Sequence, residues 1–482
     1  MRNLYSVKAV VLLLVCACVP ALEQQEPRQP NKAVPDSFGQ TSDGGNSASA
    51  PWREFFDDPA LIELVDLALK NNQELNIALQ EITIANNEVL ARSGEYMPRL
   101  GLEADAGVEK VGRYTSQGAG DDSTDIVPGR RVPAVLPNYF FGFRASWEID
   151  IWKRLRNATK AAAFRYLASI EGRNFAVTSL VAEIGTLYYE LMALDNQLDV
   201  LKENIALQTS ALEVVRLEKQ AARVTELAVK RFEAEVLKNQ SRQFELQQQI
   251  TEAENRMNFL VGRFPQPVRR SSAAFTELAP RVVSVGVPTE LLENRPDVRQ
   301  AELELRAAQL DVKVARALFY PSLSIDAAIG YNAFSVGRLV NTPASLAYGV
   351  SANILAPLLN RRAIKAAYYS ANAKQMQAVL KYEKTVLAAY AETANQLAMI
   401  GNLGNSVQLR TQQVEKLVES IDISNVLFTS ARADYLEVLT TRRDALESEM
   451  ELIETKKRQL SAVVNVYQAL GGGWRTAPAA SE

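Results

Sequence analysis

The chain reads as mainly α-helical with a small membrane-spanning β part, and three observations predict this. A heptad-spaced apolar seam runs through a proline-free stretch between Trp152 and Gly262. Four runs of about ten residues alternate apolar with polar side chains. Both patterns occur twice, in the same order, so the chain is an internal duplication.

The first residues, "MRNLYSVKAVVLLLVCACVPALEQQEP", place Arg2 and Lys8 around a short apolar core from Ala9 to Val15. That is a secretory signal, too short to span a bilayer as a helix. Val15-Cys16-Ala17-Cys18 resembles a bacterial lipobox, with the small Ala17 pointing to Cys18 as the acylated residue; ordinary signal cleavage beside incidental cysteines is the alternative. One acyl chain binds membranes weakly and several bind firmly, so a triacylated Cys18 would be a firm anchor to membrane lipid. Residues 1–17 are then the signal peptide and 18–58 a lipidated, extended tether rich in Gln, Pro, Ser, Gly and Asn.

Repeat 1 follows over residues 59–265. Asp58 is placed to cap a helix whose first residue is Pro59 and which runs to about Tyr96. "GEYMPRLGLEADAGVEK" then stops the helix at Pro98 and begins a strand over about 99–110; a second strand spans about 138–150. In the hairpin beyond, Leu180, Ile184, Leu187, Leu191, Leu194, Leu198, Leu201 and Ile205 are spaced 4, 3, 4, 3, 4, 3, 4. Two helices of about 50 residues each, about 75 Å long at 1.5 Å per residue, are expected there. Residues 266–287 are expected to form an inter-repeat linker, 288–474 repeat 2, and 475–482 a tail. Repeat 2 returns the proline joint at Pro321, strands at about 322–332 and 345–355, and a second hairpin. "RNATKAA" at Arg156 is matched by "RRAIKAA" at Arg361, and "ARVTELAV" at Ala222 by "ARADYLEV" at Ala431.

The strand faces carry the chemistry. Leu100, Leu102, Ala104, Ala106 and Val108 share one side; Glu103, Asp105 and Glu109 lie on the other. The second strand sets Phe141, Phe143 and Trp147 against Arg144, Glu148 and Asp150, and the third sets Ile325 and Ile329 against Asp326. Ten residues is the length a tilted strand needs to cross hydrocarbon, and terminal aromatics suit an interfacial girdle. A pair of hairpins in a soluble α+β protein is the competing reading, but no remaining segment looks able to cover the apolar face. Four strands cannot close a barrel and open edges are not tolerated in lipid, so several protomers must share one. The polar faces total six acids against Arg144 alone, which predicts a pore that mildly prefers cations.

Composition excludes much else. Lys+Arg number 53 against 56 Asp+Glu, giving no basic field for nucleic acid. Histidine is absent, which removes Ser-His-Asp and Cys-His nucleophiles and imidazole metal sites. No phosphate loop, metal cluster or cofactor motif is visible, so no enzyme is expected; "GGG" at Gly471–Gly473 reads as a helix C-cap and tail.

"PWREFFDDPAL", "ASWEIDIWKRLRNATKAA", "VPTELLENRPDVRQAE", "ALFYPSLSIDAAIG", "ADYLEVLTTRRDAL" and "YQALGGGW", in this order, resemble the TolC-like outer-membrane factors, closest to the lipoprotein branch serving resistance-nodulation-division (RND) pumps. The resemblance implies a homotrimer. Three protomers would share a 12-stranded β-barrel in the outer membrane, continued by an α-helical barrel through the periplasm, with Pro98 and Pro321 as the joints and the linker 266–287 in an equatorial region. It also implies an exit duct for a tripartite efflux system, with a periplasmic membrane-fusion adaptor and an inner-membrane RND pump as partners. Type I protein secretion is the alternative within the family, and a periplasmic coiled-coil adaptor or scaffold the alternative outside it.

In that family the periplasmic end closes where the hairpins turn, and adaptors dock there. The matching turns are "KQAARVTEL" (Lys219–Leu227) and "TSARADYLEV" (Thr429–Val438). This chain departs from the pattern: Ala222 and Ala431 stand where a glycine is usual, and Ala228 and Thr440 where an acid often follows. Glu226, Asp434 and Glu437 remain as nearby acids, with Arg223, Arg432 and Arg443 as possible partners. They form either a charge-paired gate or a set of solvated turn charges.

Overall fold

The computed structural model describes residues 29–35, 37–38, 46–270, 275–284, 286–430 and 432–475. Cys18, the signal segment, Ala431 and the tail beyond Arg475 lie outside the described residues. In chain order the helices and strands are α1 (Trp52–Phe55), α2 (Pro59–Asn71), α3 (Gln73–Tyr96), β1 (Arg99–Glu109), α4 (Ser116–Ser123), β2 (Asp125–Val127), β3 (Arg130–Arg131), β4 (Leu136–Ile149), α5 (Arg154–Gln220), α6 (Glu226–Val261), α7 (Glu290–Asn294), α8 (Pro296–Ala317), β5 (Ser322–Ala333), β6 (Leu346–Leu355), α9 (Arg362–Thr429) and α10 (Tyr435–Ala469).

Contacts divide the chain into two compact units that cut across the repeats. Ile84–Tyr166 and Leu303–Val379 belong to the first; Pro30–Thr83, Leu167–Glu302 and Leu380–Glu482 to the second.

In the first unit, β1, β4, β5 and β6 form one antiparallel sheet in that order. Pro98 falls between the last residue of α3 and the first of β1, and Pro321 directly before β5. Each lacks the N–H that a continuing helix would use. Register carries the alternation across all four strands. Leu102 faces Phe143, Phe143 faces Ile329, and Ile329 faces Tyr348, making a continuous apolar side. Where Gly142 meets Gly330 the strands close in, and a Cβ added at Gly142 would lie 2.4 Å from the Gly330 Cα.

The second unit is helical around one large core. Six of the eight seam residues predicted from spacing are buried, and Leu198 and Ile205 pack against them half-buried. Asp58 caps α2 by accepting from the Ala60 N–H at 2.8 Å, and its other carboxylate oxygen accepts from Tyr188 Oη at 2.6 Å. Two arginines, Arg270 largely covered and Arg295 buried, tie the connections down. Arg270 donates to Asp195 and Glu254 at 2.6 Å, which fixes the inter-repeat linker; Arg295 donates to Asp297, Glu392 and the Ala469 carbonyl.

Several expectations change. The apolar pattern does break before Tyr96: Asn72 ends α2, and its side chain accepts from the Leu75 N–H to start α3. The hairpin arms are unequal, at 67 and 36 residues in repeat 1 and 68 and 35 in repeat 2, not about 50 each. The seam marks which face is buried but not where the chain reverses. The tether does not stay extended to residue 58: Trp52, Phe55 and Phe56 are buried, and Phe55 stacks on Tyr467 with ring centroids 3.9 Å apart. Their apolar area outweighs the polar composition around them. The triple glycine is also more than a cap. Gly471–Gly473 is buried, and a Cβ on Gly472 would lie 2.3 Å from the Tyr467 ring.

Candidate functional site

The sheet has two chemically opposite sides. On the apolar side Leu100, Leu102, Val350 and Tyr348 are exposed to between 63% and 81%, and no described residue of the chain covers them. β1 and β6 are the sheet's two edges, each paired on one side only. An uncovered apolar face with open edges is unstable in water and, in lipid, demands neighbours for its unpaired N–H and C=O groups.

The polar side is less acidic than alternation implied. Arg144 stands opposite Gly101 and reaches across to Glu103, with Nε–Oε2 at 2.5 Å. Asp326 accepts from Asn353 Nδ2 at 2.9 Å, and Asp105 and Glu109 complete the acids on this side. Glu148 is still within β4 on this side but is neutralised from outside the strand, and Asp150 does not belong with them. Glu148 pairs with Arg154 at 2.8 Å. Asp150 lies past the end of β4 and is buried; it accepts from the Leu155 and Arg156 N–H groups at 3.1 and 2.9 Å, capping α5. Alternation stops to specify a face once the strand has ended. Four acids and one arginine remain, a net −3 per chain where −5 was expected.

The hairpin turns lie in the second unit, close to each other. Leu212, Val215, Val229 and Phe232 make a small core at the tip of the first, and Tyr435 and Leu439 of the second pack against it. At the first turn the Arg223 N–H donates to the Glu218 carbonyl and the Ala222 N–H to the Lys219 carbonyl, both at 2.9 Å. That is a Schellman closure, and it holds Ala222 at φ +59°, the left-handed position glycine normally fills. An alanine there costs about 1 kcal/mol. Ala222→Gly is therefore expected to stabilise the turn by up to about 1 kcal/mol, read as slower hydrogen exchange at the tip. Unchanged or faster exchange would contradict the strain.

The charge partners also differ from expectation. Glu226 pairs with Lys219, and with Lys230 at 3.8 Å, not with Arg223. The hydrogen bond from Lys219 holds its carboxyl below the ordinary value, and both lysine charges reinforce this. A depressed acid keeps its charge above the ordinary carboxylate range and loses it only as pH falls through the lowered value, so mild acidification leaves this turn unchanged. Lys219 opens the turn read from the sequence, but the partners expected there were arginines only, and the reversal brings the lysine to Glu226. In the second turn Arg443 lies 3.6 Å from its neighbour Asp444, and Asp434 starts α10 without a side-chain cap bond. Glu437 sits in the first turn of α10, Arg432 closes α9 through its N–H to the Leu427 carbonyl, and Ala431 is outside the described residues. The arginine that turns inward is Arg442: burial lowers its pKa, and its Nε has no hydrogen-bond partner.

Two duplicated halves, each carrying two strands and one long hairpin, match one family model, described as outer membrane efflux protein, over residues 64–263 and 287–472. The chain belongs to the outer membrane efflux protein family. Among curated relatives it is 28% identical to the pyoverdine export outer membrane protein OpmQ of Pseudomonas aeruginosa, over 99% of this chain and 98% of that protein. It is 26% identical to the solvent efflux pump outer membrane protein SrpC of Pseudomonas putida, over 97% of each. Among solved structures, a membrane protein from Pseudomonas aeruginosa superposes with a TM-score of 0.83 at 25% identity, covering 95% of this chain and all of that one. As an outer membrane efflux protein the chain is a channel of that membrane.

Proposed function

We propose that three copies of this chain close a 12-stranded barrel, with the α5–α6 and α9–α10 hairpins forming a tunnel below it. The channel is the exit duct of a tripartite efflux system whose periplasmic adaptor docks at the paired hairpin tips and whose pump is of the RND type. One observation carries this reading: a four-stranded sheet with a bare apolar face and two open edges, joined through Pro98 and Pro321 to long helices. Acylation of Cys18 supplies a second hold on the outer membrane. The relatives' exported molecules differ in kind, from pyoverdine to solvent, so a wide duct that leaves selection to the pump fits better than a selective pore.

The tips present Arg223, Glu226, Arg432, Asp434 and Glu437 around the small apolar core, a mixed surface suited to an adaptor hairpin. A photo-crosslinking side chain placed at Arg223 or Arg432 tests this in cells. The expected product is a covalent adduct with the adaptor; adducts only with other copies of the channel would overturn adaptor docking at the tips.

The polar strand faces become the lumen of the barrel. A net −3 per chain gives −9 around a trimeric lumen, enough to concentrate cations. In a planar bilayer under a salt gradient the open channel is expected to show a mild cation preference that shrinks in Asp105→Asn/Asp326→Asn. Anion preference would contradict the assignment of these faces.

A further inference from the structure

One end of the sheet collects cations that conduction does not require. β1 begins, β4 ends, β5 begins and β6 ends there, with Arg99 opposite Ser146, Ile149 opposite Leu323 and Ser322 opposite Leu355. Next to this edge come Arg99, Lys153, Arg154, Arg156, Arg361 and Arg362, then Lys365, against Glu148 and Asp150. Both acids are already engaged, by Arg154 and by Arg156 and the start of α5. Lys153, Arg362 and Lys365 are exposed, and among the described residues none of them joins an ion pair.

The two cationic clusters occupy similar places in the two repeats without matching residue for residue. Each follows a strand of the same sheet edge and each is entered through a non-glycine residue in left-handed conformation, Lys153 at φ +59° and Asn360 at φ +52°. Across the intervening β5 the two strands lie about 10 Å apart.

Beside them is a 420 Å³ cleft walled by Ile149, Trp152, Arg154, Tyr320, Pro321 and Leu355. Trp152 stacks on Tyr320 with centroids 4.7 Å apart and donates from Nε1 to the Pro321 carbonyl at 2.7 Å. On the apolar side of the sheet β6 ends at Ile354, 73% exposed, and Leu358 and Leu359 follow in the chain, the last 89% exposed. From sheet to helix the order is therefore acyl-compatible surface, interfacial aromatic pair, then unpaired cations. That is the order of chemical groups along a phospholipid, and basic residues beside membrane-spanning elements attract anionic headgroups.

We propose that this rim binds anionic phospholipid, with an acyl chain along Ile354, Leu358 and Leu359 and the phosphate against Lys153, Arg362 and Lys365. The proposal rests on the membrane placement of the sheet and not on adaptor docking or tunnel closure. Zwitterionic lipid would fit the apolar part but leave the three cations uncompensated.

The protein is reconstituted in nanodiscs of equal phosphatidylglycerol and phosphatidylcholine, re-extracted in mild detergent, and its retained lipid is measured by mass spectrometry. Phosphatidylglycerol is expected in excess, and a 1 M salt wash of the same protein is expected to remove that excess. K153Q/R362Q/K365Q should lower the excess roughly tenfold or more, while K153R/R362K/K365R keeps it. Equal retention of both lipids by the unmodified protein, an excess indifferent to salt, or full retention by the glutamine variant would each overturn the proposal. Loss of conductance with the lipid preference intact would instead count against the channel assembly.

Discussion

Gly142→Val is expected to abolish the oligomer and its conductance, while Gly101→Val leaves both intact. The two positions share a sheet and a face-to-face pairing pattern, but differ in space. A Cβ at Gly142 would sit 2.4 Å from the Gly330 Cα and 2.5 Å from the Ile329 carbonyl oxygen, whereas nothing lies within 4 Å of one at Gly101. These neighbours are backbone, so no side chain can turn aside. β4 and β5 would have to separate, breaking ladder bonds that have no substitute partner in hydrocarbon. Overpacking alone costs about 1–3 kcal/mol, and the lost ladder bonds add to it. Because the Gly142–Gly330 contact is within one chain, the monomeric sheet fails first and assembly fails with it. Survival of the oligomer in Gly142→Val would show that the strands can part at little cost.

Arg295→Met is expected to destabilise the helical unit by about 3 kcal/mol or more, the cost of leaving buried charges without their partner. Arg295 ends α7 with only 7% of its side chain exposed. It donates to Asp297 at 2.9 and 3.0 Å, to Glu392 at 2.9 Å and to the Ala469 carbonyl at 2.7 Å, so one guanidinium joins α8, α9 and the end of α10. Burial opposes its charge, yet the bonds to Asp297 and Glu392 hold its pKa above the ordinary value, so it stays charged at every pH the protein meets. Glu392 is 40% exposed and is rehydrated when the arginine is lost; Asp297, at 19%, is the greater liability. Adding Asp297→Asn to Arg295→Met should therefore recover part of the loss. The readout is the urea midpoint of the helical signal in detergent, and a shift under 1 kcal/mol would show that water already reaches the site.

What the sequence disclosed follows from periodicity. Strand alternation placed Leu102, Phe143 and Ile329 on one side because each lies within an uninterrupted pleat, and the 4–3 spacing marked Leu180 to Leu201 as core because a helix repeats every 3.6 residues. Both rules are silent where an element ends. Asp150 keeps the phase of β4 but lies one residue past it, so it caps α5 and faces no lumen. Periodicity does not mark the reversal at Ala222, so arms of about 50 residues were expected from it even though the resemblance placed a turn at Lys219–Leu227, and Lys219 in that turn was not matched to Glu226. Trp52, Phe55 and Phe56 were read with the polar tether before them, although three aromatics in five residues carry enough apolar area to seat a short helix in the core. Register between chains has no periodic signature in one chain, and only the open edges of β1 and β6 announce it.

The shared barrel is the claim on which the rest depends. The protein mass of the detergent-extracted particle, measured by light scattering with the detergent contribution subtracted, tests it most directly. Three chains of 53.2 kDa each, less the cleaved signal, are predicted. A monomer that stays in solution without detergent would contradict it, because the apolar face of the sheet would then have to be stable in water.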